Sequence, residues 1–206
     1  MASEGDAPRR AGTIWVLDLT DPVPTVRPDV AADFRRASPD DLPALAAAYE
    51  GNTKAALSWR FERGLSCYTA WVEGILAAYG WVSFEEEYVG ELNLRIRLVP
   101  GEAYIWDCVT LPVFRKNHLY SALLTYMVKA LRKSELRRVW IGADLDNLGS
   151  QRGIARAGFR SVADLVVAKV FARSQIWAAA RPGVPDSLIN EAQRVFLNNR
   201  EKLWLG

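Results

Sequence analysis

Apolar and polar positions along the chain follow two periodicities, which together predict a sheet flanked by helices. Two β-rich runs, at 65–72 and 75–84, are separated by two residues, a spacing typical of a β-hairpin. Residues 91–98 alternate apolar and polar side chains and therefore predict a half-exposed antiparallel strand. The densely apolar runs at 103–110 and 137–144 predict central strands.

Helical patterns lie between these strands. Ser38, Pro39 and Asp41 form a helix start signal, because a serine cap, a proline and an acidic residue suit the first turn. Residues 186–204 carry apolar side chains on one side and predict a closing amphipathic helix. The predicted helices span 39–49, 53–63, 119–133, 147–158 and 186–204.

The order of elements predicts an α/β fold with a mixed α+β sheet. Residues 13–20 have strand composition but lead into three prolines, so we expect an edge strand and then an extended connector. Residues 84–88 are expected to form a solvated turn, and residues 174–186 a connector. The expected division is a disordered lead at 1–11, an N-terminal strand and connector at 12–31, a main domain at 32–173 and a C-terminal helical extension at 174–206.

Composition restricts the partners and cofactors. The chain of 206 residues is 50% apolar, and its net charge of +2 gives no field that favours nucleic acid or an anionic membrane. We therefore expect neither as a partner. Two cysteines and one histidine cannot assemble a Cys/His metal site, so no metal is expected. Free thiols without a signal-like apolar run favour a cytoplasmic location.

One strand-to-helix passage has the form of an anion site. The strand at 103–110 leads through a short loop into the helix at 119–133. The first N–H groups of a helix have no partners within it and lie at the positive end of its dipole. Arg115 adds a charged donor at the mouth of this loop. The alternative is that the loop binds nothing and Arg115 is merely solvated.

A second stretch, at 144–159, makes the pattern more specific. Together the two stretches resemble the GNAT superfamily of acyl-CoA-dependent N-acetyltransferases, over roughly residues 32–172. The residues that carry the resemblance are Val109, Leu111, Pro112 and Arg115 in the first stretch and Asn147, Ser150, Gly158 and Phe159 in the second.

The resemblance implies a binding site for acetyl-CoA as the co-substrate. Strand groups of Val109 and Leu111 would pair with the pantetheine amides, as a peptide adds to a sheet edge. Asn147 and Ser150 would hydrogen-bond the pantetheine and phosphate portions; Asn147 also suits an N-cap. The pyrophosphate would be held by Arg115 and by backbone N–H groups of Lys116, Asn117, His118, Leu119, Tyr120 and Ser121.

The sequence departs from the family pattern at three positions. His118 and Tyr120 replace the two loop glycines. A loop whose residues all adopt ordinary helical or β angles can still point its N–H groups at an anion. Ile154 stands where many members have a tyrosine that protonates the departing thiolate, so acid help must come from elsewhere or be absent.

Two carboxylates are candidates for the general base that an amine acceptor requires. Asp107 lies in an apolar strand, where burial would raise the pKa of a carboxyl group, and Glu91 begins the neighbouring strand. Asp107 could instead be a structural hydrogen-bond acceptor. Strand alternation separates its side chain from Trp106 and Cys108, but a bulge would exchange the faces. An aromatic acceptor pocket would be drawn from Trp59, Trp71, Trp81 and Trp106.

The resemblance implies transfer of an acetyl group from acetyl-CoA to a primary amine, on a small molecule or a peptide, within a ternary complex. One alternative is an inactive CoA-binding or sensor module of the same fold. Another is a transferase whose donor is an acyl carrier protein or an aminoacyl-tRNA, which would need a basic docking face. That face could only come from Lys129, Arg132, Lys133, Arg137 and Arg138. The C-terminal helix covers its own domain or a partner subunit, which leaves a homodimer open.

Overall fold

The computed structural model describes residues 8–49, 54–89, 94–170 and 173–197. Within these residues, the chain forms a large mixed sheet, a small ribbon and α-helices on both faces. The strands are β1 (Arg9–Asp18), β2 (Asp33–Arg36), β3 (Ser66–Val72), β4 (Ile75–Ser83), β5 (Glu86–Val89), β6 (Leu94–Arg97), β7 (Glu102–Thr110), β8 (Arg138–Asp144), β9 (Arg160–Val170) and β10 (Arg173–Ala180). The helices are α1 (Leu42–Ala48), α2 (Lys54–Glu62), α3 (Leu119–Leu131), α4 (Leu148–Arg156) and α5 (Asp186–Leu197).

The main sheet has eight strands in the order β10-β9-β1-β8-β7-β4-β3-β2, and β5 pairs with β6 in a separate ribbon. Neighbouring strands are antiparallel except β7 and β8, which are parallel. The predicted mixed α/β fold is therefore confirmed. The predicted hairpin is confirmed as well, since β3 and β4 pair across Glu73 and Gly74, both at positive φ.

The first strand occupies a position that the sequence did not predict. We expected an edge strand, but β1 lies inside the sheet, between β8 and β9. Ile14 and Val16 are fully buried, because the strand is apolar on both faces, and the prolines follow only after its end at Asp18. It begins at Arg9, so the predicted disordered lead is wrong beyond residue 8, and residues 1–7 lie outside the described part of the chain.

The predicted connector at 174–186 is also wrong over most of its length. Residues 173–180 form β10, which pairs with β9 at the edge of the sheet. The prolines that suggested a connector, Pro182 and Pro185, follow the strand and mark the turn into α5. Helix α5 packs on β6, β9 and β10 of its own chain, so a homodimer gains no support from this helix and stays a prediction. Residues 198–206 are outside the described range.

The helices cover both faces of the sheet. Helices α3 and α4 pack on the face that carries Ile105 and Ile141. On the opposite face, α1 and α2 pack near Trp81, and α5 packs on Trp140. Ser38 and Asp41 form the predicted capping box before α1, where the chain makes a 3-10 turn. None of the described helices is long and apolar enough to cross a membrane.

The parallel pair β7–β8 opens at its carboxyl end. Pairing runs from Glu102↔Arg138 to Ile105↔Ile141 and then stops, although both strands continue. On the other side of β7, the register with β4 slips between Tyr79 and Trp81, which marks a bulge. Together these irregularities leave a gap in the sheet between the two helical layers.

Candidate active site

A cavity of about 430 Å³ lies at this gap. Its walls come from the separated ends of β7 and β8, from the helical layer of α3 and α4, and from the β5–β6 ribbon. Polar side chains on the wall include Asp107, Tyr120, Asn147 and Ser150. Four of the predicted site residues are therefore brought together, although they come from three separate segments.

The bulge in β7 decides which way its side chains point. Asp107 has φ of 46°, a left-handed conformation that is uncommon for a residue with a side chain. Trp106 and Asp107 both contact Arg60 of α2 and so share one face. Cys108 points to the other face: a Cβ on Gly80 would lie 2.7 Å from its sulfur. The exchange of faces that a bulge would cause is therefore observed.

Cys108 does not have the environment of a nucleophile. Its thiol is buried, and burial raises its pKa well above the ordinary value, so it stays protonated. Its Sγ lies 3.6 Å from the carbonyl oxygen of Trp106. Cys108 therefore acts as a small packing residue beside the cavity.

Asp107 is part of a polar network that joins β7 to α1 and α2. Its Oδ2 accepts hydrogen bonds from Tyr49 Oη and Arg60 Nη1, both at 2.5 Å. Arg60 Nη1 also donates to Tyr49 Oη at 2.8 Å, and Trp81 Nε1 donates to the same oxygen at 2.9 Å. Oδ1 of Asp107 has no hydrogen bond to any described residue, and the Asp107 side chain is 22% exposed.

The electrostatics of the network favour a charged guanidinium on Arg60 and a neutral phenol on Tyr49. Burial and the adjacent Asp107 raise the pKa of Tyr49, which keeps its proton. For Arg60, burial lowers the pKa, but Tyr49 and Asp107 outweigh it and raise the pKa, so the guanidinium stays charged. The sequence led us to expect a buried Asp107, either a base or a structural hydrogen-bond acceptor; the structure shows a half-buried side chain that accepts from Arg60 and Tyr49.

The four tryptophans predicted as an acceptor pocket lie in three places. The guanidinium of Arg60 is 4.5 Å from the Trp106 ring and 5.1 Å from the Trp81 ring. Trp59 is exposed beneath Arg63, and Trp71 contacts Arg35. Only Trp81 and Trp106 therefore belong to the network around Asp107.

The other predicted base, Glu91, lies outside the described residues. The structure instead reveals Glu87, in a segment that we expected to be a solvated turn but that begins β5. Glu87 is buried and accepts a hydrogen bond of 2.6 Å from Ser83, which in turn accepts one of 2.8 Å from Trp106 Nε1. Trp106 is thereby fixed through its N–H as well as its ring.

The predicted phosphate loop adopts a shape that we did not expect. Lys116 and His118 have φ of 68° and 55°, so the loop does not keep ordinary helical or β angles at these two residues. His118 occupies a family glycine position and adopts the left-handed conformation that glycine would adopt more easily. The connector after β1 supports it: His118 Nδ1 lies 2.9 Å from Asp29 Oδ2, and Asp29 N donates to Asn117 O at 3.0 Å.

The start of α3 retains the features of an anion site. The first intrahelical bond runs from Ala122 N to His118 O, so the N–H groups of Leu119, Tyr120 and Ser121 precede it and have no helical partners. Arg115 is exposed beside them, and its Nε donates to Thr110 O at 3.2 Å. Backbone donors and a nearby guanidinium could hold a diphosphate.

The free edge of β7 is shifted by one residue from the expected position. Leu111 N donates to Ala77 O of β4 at 2.9 Å, so this group is committed to the sheet. In an antiparallel pair every second residue bonds the same neighbour, so Val109, opposite Tyr79, also faces β4. Thr110 faces the gap instead. The predicted edge groups of Val109 and Leu111 are thus replaced by the N–H of Thr110, whose carbonyl oxygen accepts from Arg115 Nε.

Residues of α3 and α4 form the remaining wall. Tyr120 Oη lies 3.1 Å from Ser150 Oγ, and Asn147 caps α4 by accepting from Ser150 N at 2.9 Å. Burial raises the pKa of Tyr120, which keeps its proton. The Tyr120 ring packs against Gly153, whereas Ile154 is fully buried in the core.

Sequence reasoning missed Tyr49 and Arg60. Arg60 lies on a helix whose charged side chains resemble a solvated face, and Tyr49 ends a short helix, so neither shows a local signal. The basic cluster is less available than expected: Arg137 pairs with Glu102, and Arg138 pairs with Asp18 and Glu191. Because these two arginines are paired with carboxylates, a smaller part of the cluster is available as a basic docking face.

Comparisons with known proteins agree with this architecture. Residues 28–159 match the model of the acetyltransferase (GNAT) family. No curated protein sequence matches the chain. Among solved structures, a GNAT-family acetyltransferase from Colwellia psychrerythraea is 19% identical with a TM-score of 0.58, over 79% of this chain and 57% of that one.

Two further structures share the fold. A tandem GNAT protein from the clavulanic acid biosynthesis pathway is 19% identical, with a TM-score of 0.52, over 85% of this chain and 55% of that one. The aminoglycoside N-acetyltransferase AAC(6')-Iy, solved with CoA, is 17% identical, with a TM-score of 0.51, over 66% of this chain and 91% of that one. This chain thus spans little more than half of the Colwellia and tandem proteins. The family match covers well over half of the chain, which therefore belongs to the GNAT acetyltransferase family.

Proposed function

We propose that the protein transfers an acetyl group from acetyl-CoA to a primary amine by direct attack in a ternary complex. Family membership supports acyl transfer from an acyl-CoA in general. The observation that carries the finer proposal is the cavity at the β7–β8 gap, which is lined by Tyr120 from the first turn of α3 and by Asp107, the partner of Arg60.

The donor enters from the side of α3 and α4. The N–H groups of Leu119, Tyr120 and Ser121, with Arg115, hold the diphosphate. The N–H of Thr110, which faces the gap, pairs with the pantetheine, and Ser150 adds a hydroxyl donor at the wall. Most of these contacts use backbone groups, which explains how binding survives without the loop glycines.

The acceptor amine enters from the side of Asp107. An amine with a pKa of about 10 arrives as an ammonium ion and must lose a proton before it can attack. Oδ1 of Asp107, which has no hydrogen bond to any described residue, binds that ammonium and accepts the proton, which passes on to water. The presence of an aminoglycoside acetyltransferase among proteins of this fold supports a small-molecule amine.

Bond formation and cleavage then follow in the cavity. The amine nitrogen attacks the thioester carbon, the C–N bond forms, and the C–S bond breaks to release the CoA thiolate. The new amide nitrogen sheds its second proton, which converts the thiolate to the thiol. A thiolate, whose thiol has a pKa of about 8.5, is a weaker base than tyrosinate. Tyr120, whose pKa is raised, therefore hydrogen-bonds the thiolate without giving up its proton.

A thiol-release assay tests this function. The protein is incubated with acetyl-CoA and a panel of alkylamines, amino sugars and peptides with free amino termini, while calorimetry measures CoA binding in parallel. We expect CoA binding together with amine-dependent thiol release. A protein that shows no affinity for CoA at millimolar concentration would contradict the proposal.

The buried Ile154 favours one alternative, a CoA-binding or sensor module of the same fold. Binding of CoA without turnover of any amine would support it. The alternative donors, an acyl carrier protein or an aminoacyl-tRNA, would show salt-sensitive binding to the protein. The cytoplasmic location and the main domain at 32–173 stay predictions from the sequence.

A further inference from the structure

We propose that Arg60 is a positioning residue, which holds Asp107 so that Oδ1 of the carboxylate faces the cavity and receives a cationic amine. This inference rests on the proposed acetyltransferase function and adds to it the charge of the acceptor and the residue that orients the carboxylate.

The hydrogen bonds around Asp107 are unevenly distributed between its two oxygens. Arg60 Nη1 and Tyr49 Oη both donate to Oδ2, whereas Oδ1 has no partner among the described residues. A carboxylate held through one oxygen cannot rotate freely, so the other oxygen keeps a fixed direction. Since Asp107 lies on the cavity wall, this free oxygen is the group available to an acceptor.

Tyr49 serves as an anchor and not as a proton carrier. A phenol has one proton to donate and two lone pairs. Tyr49 donates its proton to Asp107, and its oxygen accepts from both Arg60 and Trp81. Every hydrogen-bonding position of the phenol is used. Arg60, which contacts both Asp107 and Tyr49 through the same nitrogen, therefore controls the geometry of the group.

The backbone of Asp107 needs such a restraint. Its positive φ is costly for a residue with a side chain, and such conformations persist where surrounding contacts enforce them. Asp107 lies at the bulge, two residues beyond Ile105, which is the last residue of β7 that pairs with β8. A shift of this residue would move the carboxylate relative to the cavity. The ion pair with Arg60 of α2 therefore holds both the backbone of Asp107 and its carboxylate in place.

The surroundings of Arg60 suit a guanidinium in particular. Its side chain is 15% exposed and lies close to the rings of Trp106, Trp81 and Tyr49, at 4.5, 5.1 and 5.4 Å. A planar, weakly hydrated guanidinium stacks on such rings, whereas an ammonium needs more water. Ion pairs with little exposure add little net stability, so stability alone does not account for the charge at this place.

The test compares Arg60→Met with Arg63→Met, the same substitution on an exposed arginine at the end of α2. The acceptor is the amine of the panel that the wild-type protein acetylates fastest. We expect Arg60→Met to raise the KM for this amine about tenfold, the loss expected when one charge-assisted hydrogen bond is misplaced. The KM for acetyl-CoA should stay within about twofold, and Arg63→Met should resemble the wild type.

Chemical rescue adds a readout that a purely structural role would not move. Methylguanidine added to Arg60→Ala should lower the KM for the amine again, because it can occupy the site between Trp106 and Asp107. Arg60→Lys keeps the charge but lacks the planar guanidinium with its several N–H donors. Its KM for the amine should lie between those of the wild type and Arg60→Met. If Arg60→Met does not fold, the KM values of Arg60→Lys for the amine and for acetyl-CoA test the inference in its place.

Two results overturn the inference while the proposed function stands: an active, folded Arg60→Met with the wild-type KM for the amine, or equal changes in the KM values of amine and acetyl-CoA. The second would show that Arg60 only supports the fold. A wild-type protein that binds CoA but acetylates no amine of the panel overturns the proposed function, and the inference with it.

Discussion

The two sides of the cavity are built by different means. On the donor side, the proposed contacts are mostly backbone N–H groups at the start of α3 and the open edge of β7. On the acceptor side, the proposed reactive group is a side chain, Asp107, held by two others, Arg60 and Tyr49. A site made from the backbone depends on the path of the chain, so many side chains can be exchanged without loss. A site made from side chains depends on each of them.

Replacement of Asp107 should have the largest effect. Asp107→Asn keeps the shape but removes the negative charge that binds the ammonium and accepts its proton, so kcat/KM for the amine should fall about 100-fold. Calorimetry should still detect CoA binding of wild-type strength. Asp146→Asn, at an exposed turn, serves as the control. Wild-type activity in Asp107→Asn would show that the acceptor side does not depend on this carboxylate.

A second substitution tests whether one side chain also counts on the donor side. Tyr120→Phe removes the hydroxyl that bonds Ser150 while it keeps the packing of the ring. We expect kcat to fall about tenfold and both KM values to change little, since one hydrogen bond to the thiolate is lost. Because the pKa of Tyr120 is raised, the ratio of the wild-type kcat to the variant kcat should stay constant as pH rises through the alkaline range. A ratio that shrinks with rising pH would contradict the protonated role.

A third change alters the path of the donor-side backbone. A Cβ on Gly153 would lie 2.4 Å from the Tyr120 ring, so Gly153→Ala should cost about 1–3 kcal/mol of unfolding free energy. It should also weaken CoA binding several-fold, because α3 and α4 must separate. Gly149→Ala is the matched control on the same helix, where the new Cβ would meet only Asn147 Oδ1 at 3.7 Å. Thermal melting and calorimetry measure both effects; equal melting temperatures for the two variants would contradict the packing argument.

The smallest effect is expected at His118. His118→Gly removes the contact with Asp29 but relieves a positive φ, and these two changes oppose each other. The Kd for CoA should change less than about threefold, since the donors are backbone groups. A large loss of affinity would mean that the imidazole itself binds the donor, and the contrast between the two sides would weaken.

The sequence predicted the features that are local in the chain. The β3–β4 hairpin, the capping box before α1 and the passage from β7 into α3 each depend on a few neighbouring residues, and the structure contains all three. The family resemblance, carried by residues near 109–115 and 147–159, is confirmed by the family match.

What could not be predicted depends on long-range contacts. Asp107 and Arg60 are 47 positions apart, and no periodicity links them. The order of strands in the sheet is also a long-range property, so the composition of β1 could not show that it lies between β8 and β9. The prediction of which β7 residues have backbone groups facing the gap was displaced by one residue. The residues of β7 that bond β4 are set by the pairing register and not by the sequence of β7 alone.

The interior position of β1 has a consequence for how the protein reaches its native state. Asp18 and Arg138, whose side chains bond across the β1–β8 pair, are 120 positions apart. During synthesis, β1 emerges before β8 and β9 and stays unpaired until both of these neighbours have been made. Such long-range pairing slows folding, because the intervening chain must close into a loop before the contact can form.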